Sequence, residues 1–480
     1  MADFDIVVIG AGSGNALIGG GFPGKKAALV DVGVPFGGTC LNKGCIPSKM
    51  LAHVGHTAEV IRGAARLGLK VGPPQVDWPA IQRRVFGRTD AVAREGLESR
   101  ELSQVVTLYR GFARFASPHS LEVSLHDGSS TLITGQSIVI ATGARPVVPE
   151  VPGLDDPRLA GRIFTSDDIM RIGRLPKSLA IVGGSIIAVE FADLFASLGV
   201  QVTVIQRSTL LRRADQAVSE AVTAELAPRV RLRLNQQLAE VEPADSGPGM
   251  ILYTTDADGV EYHYTAEALL LAVGRRPNTD GLRLEAAGLA TQPNGQLAVD
   301  AYLRTNVPHI WALGDVDSPE PLKHVANHEA RVVRHNLEDP KHLIEVGQRP
   351  IPTALFTTPQ VAWVGATEQA LRDSRRPYVS AVYHVRDVAQ GWAMEDSSDH
   401  HFVKVLADPA TGQLLGAHIV APEAALLLQP LVQAMTFGLD LSTMARSQYW
   451  PHPGLQEVVE NALLALDLPE PEKKRKRWGR

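Results

Sequence analysis

The stretch GGTCLNKGCIPSK, residues 37–49, holds both cysteines of this 480-residue chain, Cys40 and Cys45. Two thiols this close can do two kinds of chemistry: bind a metal or cycle as a redox pair. A structural zinc takes four Cys or His ligands as a rule. No CxxC or HxxxH partner accompanies this pair, and His53 and His56 are not placed as a finger. The redox reading fits better. The pattern from Leu41 to Ile61 predicts a helix broken only by Pro47 near its start. In a regular helix five positions advance about 7.5 Å along the axis, and a disulfide wants its Cα atoms within about 6.8 Å. The pair can therefore bridge only where the backbone is irregular, and Gly44 and Pro47 supply that irregularity. A bridge in a distorted loop is readily reduced, which suits a catalyst. Lys49 lies four residues after Cys45, on the same helical face, where its charge favours a Cys45 thiolate. Lys43 could act in the same way, but a solvated surface lysine is the simpler reading.

Bulk composition is consistent with a reduced compartment. The N-terminus, MADFDIVVIGAG, has Asp3 and Asp5 where a signal peptide would be basic, and it reads as a buried strand. The expected location is therefore cytoplasmic, where thiols stay reduced and a cysteine pair is catalytic or metal-binding rather than a staple. No apolar run reaches the roughly 18 residues of a membrane span, so no membrane partner is expected. Net charge is −5, from 47 basic and 52 acidic residues. Such a balance has no global field suited to nucleic acid. The length implies two to four domains.

Two glycine motifs can feed electrons to the disulfide. In DIVVIGAGSGN…KKAALVDVG a strand (5–9) leads to Gly10 and Gly12, then a short helix, then a strand ending at Asp31. This is the dinucleotide fingerprint: a tight turn, a close backbone approach to pyrophosphate, a helix N-terminus, and an acid for ribose hydroxyls. The third glycine position is Asn15, and Gly14 beside it can supply the small contact. The second motif, SLAIVGGSIIAVEFADLFASLGVQVTVIQR, ends a strand at Gly183 and has Gly184, then Ser185 at the middle glycine position and Ala188 at the third. Its helix runs to about residue 198 and its second strand ends at Gln206 and Arg207, with Arg212 and Arg213 close behind. Without a carboxylate and with guanidinium groups nearby, a 2′-phosphate fits better than a 2′-hydroxyl. The reading is NADPH, with NADH as the alternative. Hydride does not pass conveniently from nicotinamide to sulfur at a distance, so a flavin between them completes an electron path.

These residues carry a resemblance. GGTCLNKGCIPSK is similar to the active-site signature of the pyridine nucleotide–disulfide reductases, and the likeness extends to about residue 466 through ATGARP (141–146), LLLAVGRRPN (269–278), HIWALGDV (309–316) and HPGLQEVVE (452–460). The resemblance implies an α/β chain with two Rossmann-like dinucleotide-binding domains, for FAD and NAD(P), and a C-terminal α+β dimerisation domain. It implies FAD at the first site, with Asp31 at the adenosine ribose and Asp315 at the ribityl chain. Cys45 is then the charge-transfer thiol facing the flavin and Cys40 the interchange thiol that attacks substrate. Lys49 and Glu190 match the pair beside the isoalloxazine. His452 and Glu457 match the acid–base couple, with His452 reaching the other subunit of a homodimer. Gly38, Thr39, Thr142, Gly143, Gly274 and Gly314, in the same stretches, complete the cofactor-binding set. Independently, a His suits protonation of a departing thiol near neutral pH, and a carboxylate would orient it. His452-Pro453 also reads as a helix start with Pro in the first position.

The partner is then a low-molecular-weight disulfide. With two cysteines, branches of the family that need an extra C-terminal pair lack their parts. Dihydrolipoamide dehydrogenases and mycothione reductases remain. GSGN (12–15), LKHVANHEARVVRHNL (322–337), DVAQGWAMEDSS (387–398) and SQYWPHPGLQEVVENALLAL (447–466) are similar to the latter. A flavoprotein NAD(P)H oxidase on the same scaffold is disfavoured by intact Cys40, Cys45, His452 and Glu457, and nothing resembles a subunit of a larger complex. The expected organisation is an FAD-binding domain (1–150), an NAD(P)H-binding domain (151–271), a return segment (272–345), an interface domain (346–466) with strands at 354–357, 379–385, 402–407 and 414–420 and helices near 424–436 and 455–465, and a basic tail (467–480) expected to be solvated and disordered.

Overall fold

The computed structural model describes residues 3–245, 247 and 249–468; the tail beyond residue 468 lies outside the described residues. The first strand, Phe4–Ile9, is flanked in parallel by Ala27–Asp31 and by the end of Ser130–Ile140. Such a strand, covered on both faces, needs the unbroken apolar run that Ile6, Val7, Val8 and Ile9 provide. The helix Ser13–Ile18 follows its carboxyl end.

Two long strands belong to two layers each. Val106–Ser117 pairs in parallel with Ala27–Asp31 through Arg110, then from Gly111 onward in antiparallel with Ser120–Leu125. Ser130–Ile140 makes the opposite change at Gly135. A Cβ on Gly111 would stand 2.3 Å from the Ser124 carbonyl oxygen, and one on Gly135 2.9 Å from Val7 Cγ2, so both changes of direction depend on glycine. The sequence pattern did not signal this antiparallel excursion.

A second parallel sheet runs in the order Val230–Leu234, Gln201–Gln206, Ser178–Val182, Ala268–Leu271, Ile163–Thr165. An antiparallel three-stranded sheet (Gln236–Pro243, Met250–Asp256, Glu261–Ala266) is inserted before its fourth strand. The chain then returns: Arg275–Pro277 pairs with Ala144–Pro146, and Ile310–Ala312 joins the first sheet beside Ser130–Ile140. The C-terminal sheet has the order Thr353–Leu355, Gln360–Gly365, Leu414–Ala421, Phe402–Ala407, Val379–His384, wholly antiparallel. Its strand Gln360–Gly365 has no counterpart in the sequence reading, because Pro359 and Gln360 hide a short buried run behind turn residues. The expected helix near 424–436 is two, Ala424–Leu427 and Gln429–Phe437, divided where Pro430 enters a new first turn. Among the described residues no helix is long and apolar enough to cross a membrane.

One apolar core ties these parts together. It contains Leu51 from the segment after the cysteines, Phe191, Leu194 and Phe195 from the helix Ile186–Ser197, and Leu355, Val361 and Phe402 from the C-terminal sheet. Gly55 lets the cysteine-bearing helix approach: its Cβ would lie 3.3 Å from Ser197 Cβ and 3.5 Å from Leu194 Cδ1. Phe195 is fully buried at this junction. Phe195→Ala is expected to cost about 3–5 kcal/mol of stability, checked as a lowered midpoint in urea unfolding followed by tryptophan fluorescence.

Candidate active site

The expected continuous helix after Cys40 is two helices, Gly38–Asn42 and Cys45–Gly63, with Lys43 and Gly44 between them. Gly44, at φ −141° and ψ −119°, makes the break, and a Cβ there would press on the Thr39 carbonyl oxygen at 3.2 Å. Pro47 does not interrupt the second helix. It sits in its first turn, where no N–H is required. The break turns both sulfurs toward each other: the two thiols are free and hydrogen-bonded.

Cys45 is the first residue of a 19-residue helix, so the partial positive charge of the N-terminus falls on its sulfur. The hydrogen bond from Cys40, and then the charge of Lys49, bring the Cys45 thiol down to about 7 against the opposing effect of burial. The same hydrogen bond, together with burial, pushes the Cys40 thiol well up. The reduced pair is thus asymmetric, with the thiolate on Cys45. Lys49 Nζ is held 2.6 Å from Glu190 Oε1 and lies 4.9 Å from the centre of the Phe356 ring. Glu190 Oε1 also accepts the Phe356 N–H at 2.9 Å. Lys43 is half exposed, 3.6 Å from Asp167.

The first glycine turn abuts the cysteine segment. Gly10 has φ +107°, and a Cβ there would lie 2.3 Å from the Ala141 carbonyl oxygen. A Cβ on Gly38 would lie 2.6 Å from Gly12 Cα, so the two backbones touch. Gly14 provides the small contact left open by Asn15: its Cβ would lie 2.8 Å from Val8 Cγ1. Asn15 is used elsewhere, its Oδ1 accepting from Arg100 at 2.7 Å. Asp31 closes its strand, accepting the Ala11 and Gly33 N–H groups at 2.9 and 3.1 Å, and burial raises its carboxyl. Thr142 and Gly143 are tied to Asn278: Thr142 Oγ1 donates to the Asn278 carbonyl at 3.0 Å, and the Asn278 N–H to the Gly143 carbonyl at 2.9 Å. Gly314, at φ +82°, donates its N–H to Glu329 Oε2 at 2.7 Å and presents Asp315, whose carboxyl is raised by burial. Bare glycine backbone, a terminal strand acid and a second, partly buried acid form a polar set that fits a dinucleotide-linked flavin.

At the second turn, Gly183 (φ +129°) repeats the role of Gly10, its Cβ meeting the Ala272 carbonyl oxygen at 2.3 Å. Ala188 is fully buried. A Cβ on Gly184 would lie 2.7 Å from Gln206 Cγ, so Gln206 lies across this turn. Ser185 stands exposed ahead of the helix and makes no capping bond. Arg207, Arg212 and Arg213 are exposed, and among the described residues none has an ion-pair partner. Gly274, at φ +137°, begins the crossing back to the first domain.

His452 and Glu457 are joined, Nδ1 to Oε1, at 2.8 Å, and the bond lowers the Glu457 carboxyl. The helix begins at Glu457, so Pro453 precedes the helix rather than starting it. The His452 side chain is 71% exposed on a domain that also exposes Leu426, Phe437 and Tyr449.

Sequence reasoning missed Lys323. Its Nζ donates to Ser13 Oγ at 3.0 Å, and its charge acts on both Cys40 and Asp315. One signal was legible: Lys323 opens the helix Lys323–Glu338, where a cation opposes the helix dipole. The buried acids Asp317 and Glu329 behind Asp315 were also missed, since nothing in the spacing marks them.

Residues 4–330 match the pyridine nucleotide-disulphide oxidoreductase family, and residues 351–463 match its dimerisation domain. The chain is 42% identical to mycothione reductase of Mycobacterium tuberculosis, over 97% of this chain and 100% of that one. It is 33% identical to dihydrolipoyl dehydrogenase of Chlamydia muridarum, over 97% of each. The HOCl-induced flavoprotein disulfide reductase RclA from Escherichia coli, solved as a Cu(II) complex, superposes with a TM-score of 0.85 at 26% identity, covering 97% of this chain and 99% of that one. The chain belongs to the pyridine nucleotide-disulphide oxidoreductases, flavoenzymes that use FAD and a pyridine nucleotide, and its dimerisation domain supports a homodimer.

Titration of the reduced protein by ultraviolet thiolate absorbance is expected to show a first midpoint near 7. Lys49→Met removes a cation that favours the thiolate, so this midpoint is expected to rise; an unchanged midpoint would contradict the role of the Lys49 charge.

Proposed function

We propose that the chain is an NADPH-driven reductase of a low-molecular-weight disulfide, and that this substrate is mycothiol disulfide. The observation that carries the chemistry is the asymmetric thiol pair beside the first glycine turn, with the thiolate on Cys45. The substrate rests on the full-length likeness to the mycobacterial mycothione reductase, greater than that to the dihydrolipoyl dehydrogenase. NADPH rests on Gln206 in place of an acid and on exposed Arg207, Arg212 and Arg213 around it.

Asp31, Asp315 and the glycines at 10, 12, 14, 38, 143 and 314, with Thr39 and Thr142, would hold FAD. Gly183, Gly184, Ala188, Gln206, Arg207, Arg212 and Gly274 would hold the nucleotide. FAD held there would supply an electron pair, taken from the reduced nicotinamide, for reduction of the Cys40–Cys45 disulfide. Reduction by that pair together with one proton breaks the bond between the sulfurs and leaves Cys45 as the thiolate and Cys40 as the thiol. Lys49, fixed by Glu190, stabilises that negative charge. Cys40 gives up its proton to His452 of the partner subunit and attacks one sulfur of the substrate, forming a mixed disulfide and releasing one thiolate. His452 of the partner subunit, oriented by Glu457, protonates the leaving sulfur. Cys45 then attacks Cys40, restores the internal disulfide and releases the second thiolate, which takes its proton from solvent. Two electrons and two protons pass to the substrate in each cycle. The exposed face around His452 is consistent with a site completed across the dimer.

Turnover of mycothiol disulfide and of lipoamide, each with NADPH and NADH, tests this reading. Fast NADPH-dependent reduction of mycothiol disulfide with slow lipoamide turnover is expected, and preferred turnover of lipoamide with NADH would reject it. His452→Gln is expected to lower kcat by about 10²–10⁴-fold while leaving reduction of the internal disulfide by NADPH intact.

A further inference from the structure

The loop behind the second glycine turn is not supported by its own domain alone. Leu211 donates its N–H to the Gly184 carbonyl at 2.7 Å, and Ser219 Oγ to the Leu210 carbonyl at 2.5 Å. These fix the near side of the loop that carries Arg212 and Arg213. The far side is held from the C-terminal domain. Asp215 is fully buried and caps the helix Gln216–Leu226 through the Ala217 N–H at 3.0 Å. Its Oδ1 also accepts from Lys404 Nζ at 2.8 Å, and its Oδ2 from the Glu368 N–H at 2.8 Å. Lys404 Nζ makes a second bond, to Glu368 Oε2, at 2.7 Å. Gln369 spans the same seam, donating to the Ala214 carbonyl at 3.2 Å and accepting the Gln216 N–H at 3.4 Å.

Lys404 is 6% exposed, on the strand Phe402–Ala407 of the C-terminal sheet. A buried lysine is retained only with full pairing, and here two carboxylates from two domains provide it. Asp215 follows Arg212 and Arg213 by three and two residues. Any shift of Asp215 therefore moves the two guanidinium groups relative to Gly184 and Gln206.

We infer that Lys404, with Glu368 and Gln369, is a positioning element for nucleotide selectivity: from the dimerisation domain it sets the arginine loop at the spacing that recognises a 2′-phosphate. The inference rests on the NADPH reading. Lys404 Nζ bonds to the carboxylates of Asp215 and Glu368, so its action on the arginine loop passes through Asp215. A brace of this kind changes affinity for the 2′-phosphate while leaving the adenosine and pyrophosphate contacts of Gly183 and Gly184 in place.

The test is calorimetric binding of 2′,5′-ADP and of 5′-AMP to the flavin-loaded dimer, with the KM for NADPH and for NADH measured beside it. Lys404→Met is expected to weaken 2′,5′-ADP roughly tenfold, the size of one charge-assisted contact, with 5′-AMP affinity and kcat at saturating NADPH unchanged. Lys404→Arg keeps a buried cation and is expected to restore part of the loss. Gln369→Ala leaves the buried charges paired and serves if Lys404→Met does not fold; a loss of about twofold or more confined to 2′,5′-ADP is expected. Equal losses for both ligands, or no loss in the variants, would overturn the positioning role. Wild-type protein that binds both ligands alike would instead overturn the NADPH reading, and the inference with it.

Discussion

The close approach of two backbones, at Gly12 and Gly38, is the constraint on which the site depends. A single methyl group at Gly38 would come within 2.6 Å of Gly12 Cα. Only bare backbone lets the cysteine segment lie against the first dinucleotide turn. That contact fixes the start of the short helix Gly38–Asn42, and through the break at Gly44 it fixes where the second helix begins. Cys45 occupies that beginning, so the helix N-terminus and the sulfur coincide. The electrostatic asymmetry of the thiols follows from packing before any charged side chain contributes.

The second determinant is the ion pair between Lys49 and Glu190. It joins the cysteine helix to a helix of the second sheet, and the Phe356 N–H joins the C-terminal domain to the same carboxylate. Both partners are partly exposed, so its contribution to stability is of the order of 1 kcal/mol or less. Its larger effect is local. A cation immobilised four residues beyond Cys45 favours one protonation state of the thiol pair, and the Gly55 contact with the same neighbouring helix keeps it there.

Much of this was legible in the residues because each signal was local. Gly10, Gly12 and Asp31 report a turn and a strand end, and the chain turns at Gly10 and ends its strand at Asp31; Cys40, Gly44 and Cys45 report an irregular pair, and the break falls at Gly44. The errors have physical causes too. Pro47 reads as a breaker but is tolerated in a first turn. His452-Pro453 reads as a helix start, yet the helix waits for Glu457. The excursion at Gly111 and Gly135 and the strand Gln360–Gly365 depend on pairing with distant strands, which periodicity does not carry. The acids Asp317 and Glu329 became visible only when the helix Lys323–Glu338 was laid beside Gly314, and the place of Lys323 at the site only when that helix met Ser13.

The bonds among Asp215, Glu368 and Lys404 bear on how such a chain can be recombined. The second sheet looks like an exchangeable cassette, entered and left by short crossings. Yet one of its carboxylates neutralises a lysine that belongs to another cassette. A chimera that imports a relative's nucleotide domain without an acid at residue 215 would leave the buried Lys404 ammonium half paired, and one that keeps the acid without the lysine would leave the carboxylates of residues 215 and 368 without their shared cation. The natural unit of inheritance at this seam is the trio, although 153 residues separate Asp215 from Glu368.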